Sequence, residues 1–159
     1  MFRALALCTA LAVPAIAVAA APMAASTYVM KAGASDKYEI DSSKLVMNSS
    51  NPKIREFAEK MVHDHTQSTA DVKAAAMKAG MKVAPPMLDP MQRTMIANLT
   101  KVSGGARDHL YIEQQKHSHQ MALALHQDYS VNGTSAPLKM AAMKIVPVVK
   151  SHIQMLASM

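Results

Sequence analysis

Apolar positions recur every three or four residues along four long stretches of the chain, the spacing of helices that turn one face inward. From about Ser26 to Asn48, Val29, Ala32, Asp36, Glu39, Ser43 and Val46 share a face. In the second stretch the stripe is Ile54, Ala58, Met61, His65, Ser68, Val72, Ala75 and Ala79, and in the last it is Ala141, Ile145, Val149, His152, Leu156 and Met159. The remaining long stretch is less regular. Ile112, Gln115, His119, Ala122 and His126 form one stripe beside a second of Tyr111, Ser118, Met121 and Leu125, so His119 lies at or beside the seam.

Proline and glycine punctuate these stretches. Asn51 caps a helix that opens with Pro52, runs to Ala79 and stops at Gly80. Residues 81–88 carry Pro85-Pro86 and read as a loop; Asp89-Pro90 then starts a short helix to about Val102, ended by Gly104-Gly105. A long helix covers about Ala106 to Ser130 and closes at Asn132-Gly133. Pro137 opens the last one, which Pro147 is expected to kink. The fold class that follows is all-α: an antiparallel four-helix bundle with a crossover and an extra short helix in the middle connection.

Composition agrees with this and narrows the chemistry. Fifteen methionines, only 4% aromatic residues and no tryptophan suit helices better than a sandwich or barrel. Residues 1–25 combine Arg3, an apolar run from Ala4 to about Ala21 and small residues around Ala17-Val18-Ala19, the pattern of a secretory signal peptide cleaved near residues 19–25. Residues 26–159 then form the bundle domain, with no transmembrane segment, in the periplasm or cell envelope. The lone Cys8 falls in the signal, which excludes a disulfide scaffold, a CxxC redox motif or a cysteine nucleophile. Lysine and arginine exceed aspartate and glutamate by 17 to 11, but in scattered positions without aromatic platforms. Nucleic acid is therefore not the expected partner, and the excess charge supports at most loose attraction to an anionic envelope surface.

From each long helix one ionisable group is placed toward the middle of the interior: Glu39, His65, His119 and His152. His65 lies 13 residues after Pro52, His119 14 after Gly105 and His152 15 after Pro137, each about 20 Å along its helix and near mid-height of the bundle. Three imidazoles and one carboxylate at one point suit a single divalent ion, Zn²⁺, Fe²⁺, Mn²⁺ or Cu²⁺. The competing expectation is a metal-free network in which the carboxylate accepts hydrogen bonds from histidine N–H groups. No catalytic residues are assigned, because no nucleophile–base pair is evident, and the default expectation is a protein without enzymatic activity.

Several strings carry a family resemblance: Tyr38-Glu39-Ile40-Asp41-Ser42-Ser43-Lys44-Leu45, Phe57 through Thr66, Tyr111 through His119, and Val146-Pro147 through His152. Over nearly all of the mature chain the sequence resembles a bacterial exported family of unknown function whose members are often labelled outer-membrane proteins. The resemblance implies a ferritin-like four-helix bundle and export; it matches the family's Asp-His-Thr segment at Asp64, His65 and Thr66 and its later helix histidines at His119 and His152. No series of alternating ten-residue strands supports a membrane barrel.

A ferritin-type di-iron centre needs paired Glu-x-x-His motifs, and Glu39, Glu59 and Glu113 are followed three residues later by Ser42, Val62 and Lys116 instead. The methionine groups Met77/Met81, Met87/Met91/Met95 and Met140/Met143 have the spacing to offer thioethers to Cu(I), but their expected role is to fill the core of an aromatic-poor bundle. A third reading is an interaction module that presents Met87, Met91 and Met95 as an apolar patch.

Overall fold

The computed structural model describes residues 21–159, so most of the proposed signal segment, with Arg3 and Cys8, lies outside the described residues. Helix α1 spans Ala25–Lys44, α2 Pro52–Lys78, α3 Pro90–Thr100, α4 Gly104–Asn132 and α5 Ala136–Leu156. The signals read from sequence operate at several ends. Asn51 accepts the Lys53 N–H at 3.0 Å ahead of Pro52. Asp89 and Gln92 bond each other's backbone N–H at 2.8 and 2.9 Å, a reciprocal capping box. Gly80, with φ 74°, takes the left-handed conformation that ends α2. Gly104-Gly105 behaves differently from expectation: α3 has already ended at Thr100, and the two glycines open α4.

Side-chain pairs fix the topology. Tyr28 meets His126, Tyr38 meets Gln114, Ser43 meets Tyr111 and Ser49 meets Asp108, so partner numbers fall along α4 as they rise along α1 and the two helices are antiparallel. α1 and α2 form one hairpin, α4 and α5 the other, and α2 also packs on α5. Since α2 ends beside the start of α1 and α4 begins at the opposite end, residues 79–103 must run the length of the bundle, with α3 lying against α1 and α4. Pro86 packs so closely on α1 that a Cβ at Gly33 would sit 3.3 Å from the Pro86 Cβ, which is why a glycine serves there. α5 continues through Pro147 as one helix although the proline offers no N–H to the preceding turn.

The core has two apolar clusters with a polar layer between them. Tyr28, Ala32, Val72, Ala122, Tyr129 and Val149 belong to one cluster; Ile54, Phe57, Met61, Leu99, Tyr111 and Leu156 belong to the other. Each long helix contributes polar residues between these sets, Asp36 and Glu39, His65, Gln115 and His119, and His152, all at most 3% exposed, while buried His126 sits against Tyr28 of the first cluster. Met61 is buried, but the methionines expected to fill the core largely do not. Met77, Met87, Met140 and Met143 are 62%, 75%, 60% and 56% exposed, because their positions fall outside the inward stripes that Tyr, Ala, Val and Ile already fill. Met30, Met81, Met87, Met91, Met95 and Met121 instead line an open groove between α1, α4 and the crossover. None of the described helices is long and apolar enough to cross a membrane.

Candidate metal centre

Mid-height on α2, α4 and α5, His65, His119 and His152 turn toward one another. One ring nitrogen from each lies within 4.8 Å of the other two, and the ring centroids are 5.3 to 5.6 Å apart. His119 Nε2 and His152 Nδ1 are 3.3 Å apart. Two imidazole nitrogens bound at about 2.1 Å to one tetrahedral ion stand about 3.4 Å apart, so this pair already has the spacing of co-ligands.

Each imidazole is held from behind. His65 Nδ1 is 2.8 Å from Asp36 Oδ1, His152 Nε2 is 2.8 Å from Asp64 Oδ2, and His119 Nδ1 is 3.0 Å from the Gln115 carbonyl oxygen. Thr69 steadies Asp36 with a hydroxyl hydrogen bond of 3.1 Å. These outer partners only accept, so each outer nitrogen carries the proton, and in a neutral ring the inner nitrogen is left with its lone pair. With all three rings neutral, three lone pairs face one point, with no donor among them. Such an arrangement, a carboxylate or carbonyl orienting each imidazole from outside, is the second shell typical of metal-binding histidines.

Burial sets the protonation of the layer. It pushes His119 down to about 3, helped by repulsion from His65 and His152, and His152 down to about 4 against the pull of Asp64, so both rings stay neutral well into acid. Burial also opposes charge on His65, but the hydrogen bond and charge of Asp36, with Glu39 and Asp64 behind it, raise its pKa above 6.5. His65 Nε2 has no hydrogen-bond partner in either protonation state: no donor reaches its lone pair and no acceptor reaches its proton.

Sequence reasoning grouped Glu39 with the three histidines. It is fully buried beside them, yet its closest approach, 3.8 Å, is to His119 Nδ1, the outer nitrogen, and it is not among the three residues whose ligand atoms converge. Both of its carboxylate oxygens lack a hydrogen-bond partner. Burial raises its pKa to about 7, with the charge of His65 pulling the other way. A network built on Glu39 accepting from histidines is therefore not what the structure holds; the acids that accept are Asp36 and Asp64. Neither was singled out as a site residue. Asp36 lay on the inner stripe of α1, and Asp64 stood in the Asp-His-Thr string, but only the packing of α1 and α5 against α2 reveals what each one touches.

Among solved structures, CopM in the Cu(II)-bound form is similar at a TM-score of 0.70 and 13% sequence identity, over 86% of this chain and 95% of that one, a likeness of fold. No curated protein matches the chain. The family model described as "Domain of unknown function (DUF4142)" matches residues 12–159, nearly the whole sequence, and the protein belongs to that family.

Proposed function

We propose that this protein binds one divalent metal ion in its core through His65 Nε2, His119 Nε2 and His152 Nδ1. The observation that carries the reading is the convergence of three inner nitrogens whose outer partners leave them as acceptors with nothing to accept. A cation meets that requirement, and Glu39, with no other partner, supplies negative charge beside it. Taking a double positive charge into a dry layer is favourable only with such compensation, which Asp36, Asp64 and Glu39 together provide. Three imidazoles favour Cu²⁺ or Zn²⁺ over Fe²⁺ and Mn²⁺, and the usual affinity order puts Cu²⁺ first; the copper held by the structural neighbour supports the same choice.

Holding an ion, rather than catalysis, is the role in this reading. The ligand residues are at most 3% exposed, and among the described residues no nucleophile–base pair stands beside them. Residues 1–25 are read as an export signal, which puts the protein in the periplasm or cell envelope. Metal analysis tests the binding claim. Protein purified without an affinity tag is expected to hold or take up one equivalent of Cu²⁺ or Zn²⁺ per chain and to melt at higher temperature with the ion bound. Absence of stoichiometric uptake together with no thermal gain from either ion refutes it.

A further inference from the structure

Most sides of the histidine layer are closed. The Phe57 ring lies 6.3 Å from His119 and 6.5 Å from His152, and Tyr38, Tyr111 and Glu39, all at most 1% exposed, fill the side toward α1 and α4. Between α2 and α5, beside Pro147, a groove of about 450 Å³ opens to solvent, and its lining includes both His65 and His152. Lys60, His63 and Asp64 also line it.

These three side chains form a connected set. Asp64 Oδ2 accepts from His152 Nε2 at 2.8 Å and from the Lys60 ammonium at 2.7 Å, while its Oδ1 accepts from His63 Nδ1 at 2.8 Å. The His63 side chain is 82% exposed, that of Asp64 only 15%. With its Nδ1 proton committed to Asp64, neutral His63 presents the Nε2 lone pair to water. Asp64 is thus the one carboxylate among the described residues that touches both a buried imidazole of the layer and two cationic or basic groups at the surface.

From this geometry we infer that the α2/α5 groove is the ion's route to the histidine layer, and that His63 and then Asp64 are successive transient stops at its mouth, where Lys60 is the competing cation on Asp64. The inference rests on the metal reading above. An arriving divalent ion is first held by His63 Nε2, on the side of the ring away from Asp64, then moves to Asp64 in place of the Lys60 ammonium; it then passes inward to the three nitrogens, and Asp64 returns to Lys60 and His152. Both His63 and Lys60 lie outside the set of inner ligands, so changing them alters passage and leaves the ligands on the ion as they were.

The test is stopped-flow uptake of Cu²⁺ by metal-free full-length protein, with an equilibrium titration in parallel. His63→Ala is expected to slow uptake about threefold or more and Lys60→Gln to speed it by a similar factor, with the stoichiometry and the spectrum of the bound ion unchanged. Val148→Trp, at a groove-lining position 38% exposed, is expected to slow uptake by filling the mouth. Wild-type uptake rates in all three variants overturn the route while leaving the metal site standing. A changed spectrum or stoichiometry in His63→Ala makes His63 an inner ligand and also overturns it. Wild-type protein that binds no ion overturns the metal reading and the route together.

Discussion

Replacing Glu39 by glutamine isolates the electrostatic cost of the metal-free layer. Burial raises the Glu39 carboxyl from 4.5 to about 7, so the fold favours its neutral form. For an acid with a raised folded-state pKa, the stabilising contribution is fully present below the unfolded value of 4.5 and is lost as pH rises through about 7. The wild-type protein without metal therefore carries a penalty at pH 8 that is mostly absent at pH 5, on the order of 2 to 3 kcal/mol for a carboxyl carried that far from its ordinary value. The substituted amide cannot ionise and lacks that penalty. Urea unfolding in the presence of a chelator, at pH 5 and pH 8, should show the Glu39→Gln variant gaining about 2 to 3 kcal/mol on wild type between the two conditions, or roughly 5 to 10 °C in Tm. Comparing two pH values cancels whatever the amide itself gains or loses in packing. The same substitution should weaken divalent-ion binding, since it removes a negative charge beside the ion. An equal difference between variant and wild type at both pH values would refute the claim that Glu39 is a buried acid without a partner.

Two further outcomes follow from the hydrogen bonds and protonation of the buried histidines. Asp36→Asn should lower affinity for Cu²⁺ by about 10- to 100-fold in an equilibrium titration, because it weakens the group that fixes the His65 tautomer while leaving the ring in place. Metal-free protein should lose stability steeply from pH 6.5 toward pH 4.5: His119, His126 and His152 have pKa values depressed to about 3, 4 and 4, so their contribution is present above 6.5 and falls as the unfolded chain takes up their protons. Glu39 offsets one of the three, leaving a net uptake of about two protons on unfolding, measurable from the slope of stability against pH.

The sequence revealed the helices more readily than the contacts between them. Asn51-Pro52, Asp89-Pro90 and Gly80 act through backbone geometry a few residues away, so their meaning is local and readable. The inward turn of His65, His119 and His152 was readable too, since each lies on a stripe of helical period. The outer partners were not. Asp36 meets His65 across 29 residues and Asp64 meets His152 across 88, and each contact depends on how one helix is rotated against another. Asp64 is instructive in this respect: as the immediate neighbour of inward-facing His65 it points about 100° away around α2, which carries it into the α2/α5 seam rather than to bulk solvent. Glu39 shows the opposite difficulty, because sharing a height and a face with the histidines did not tell on which side of the His119 ring its carboxylate would lie. The methionines were misjudged for a related reason. A spacing of three or four puts Met140 and Met143 on a common face, but only the phase of the Ala141, Ile145 and Val149 stripe determines that this face looks outward.

Electron paramagnetic resonance of the protein loaded with one equivalent of Cu²⁺ bears most directly on the three-histidine site, because nitrogen hyperfine structure counts the imidazoles on the ion. The expected spectrum is a single species coupled to three nitrogens, reduced to two in His119→Ala. A mixture of species with fewer nitrogens, unaltered by that substitution, would place the copper elsewhere and contradict the assignment of His65, His119 and His152 as its ligands.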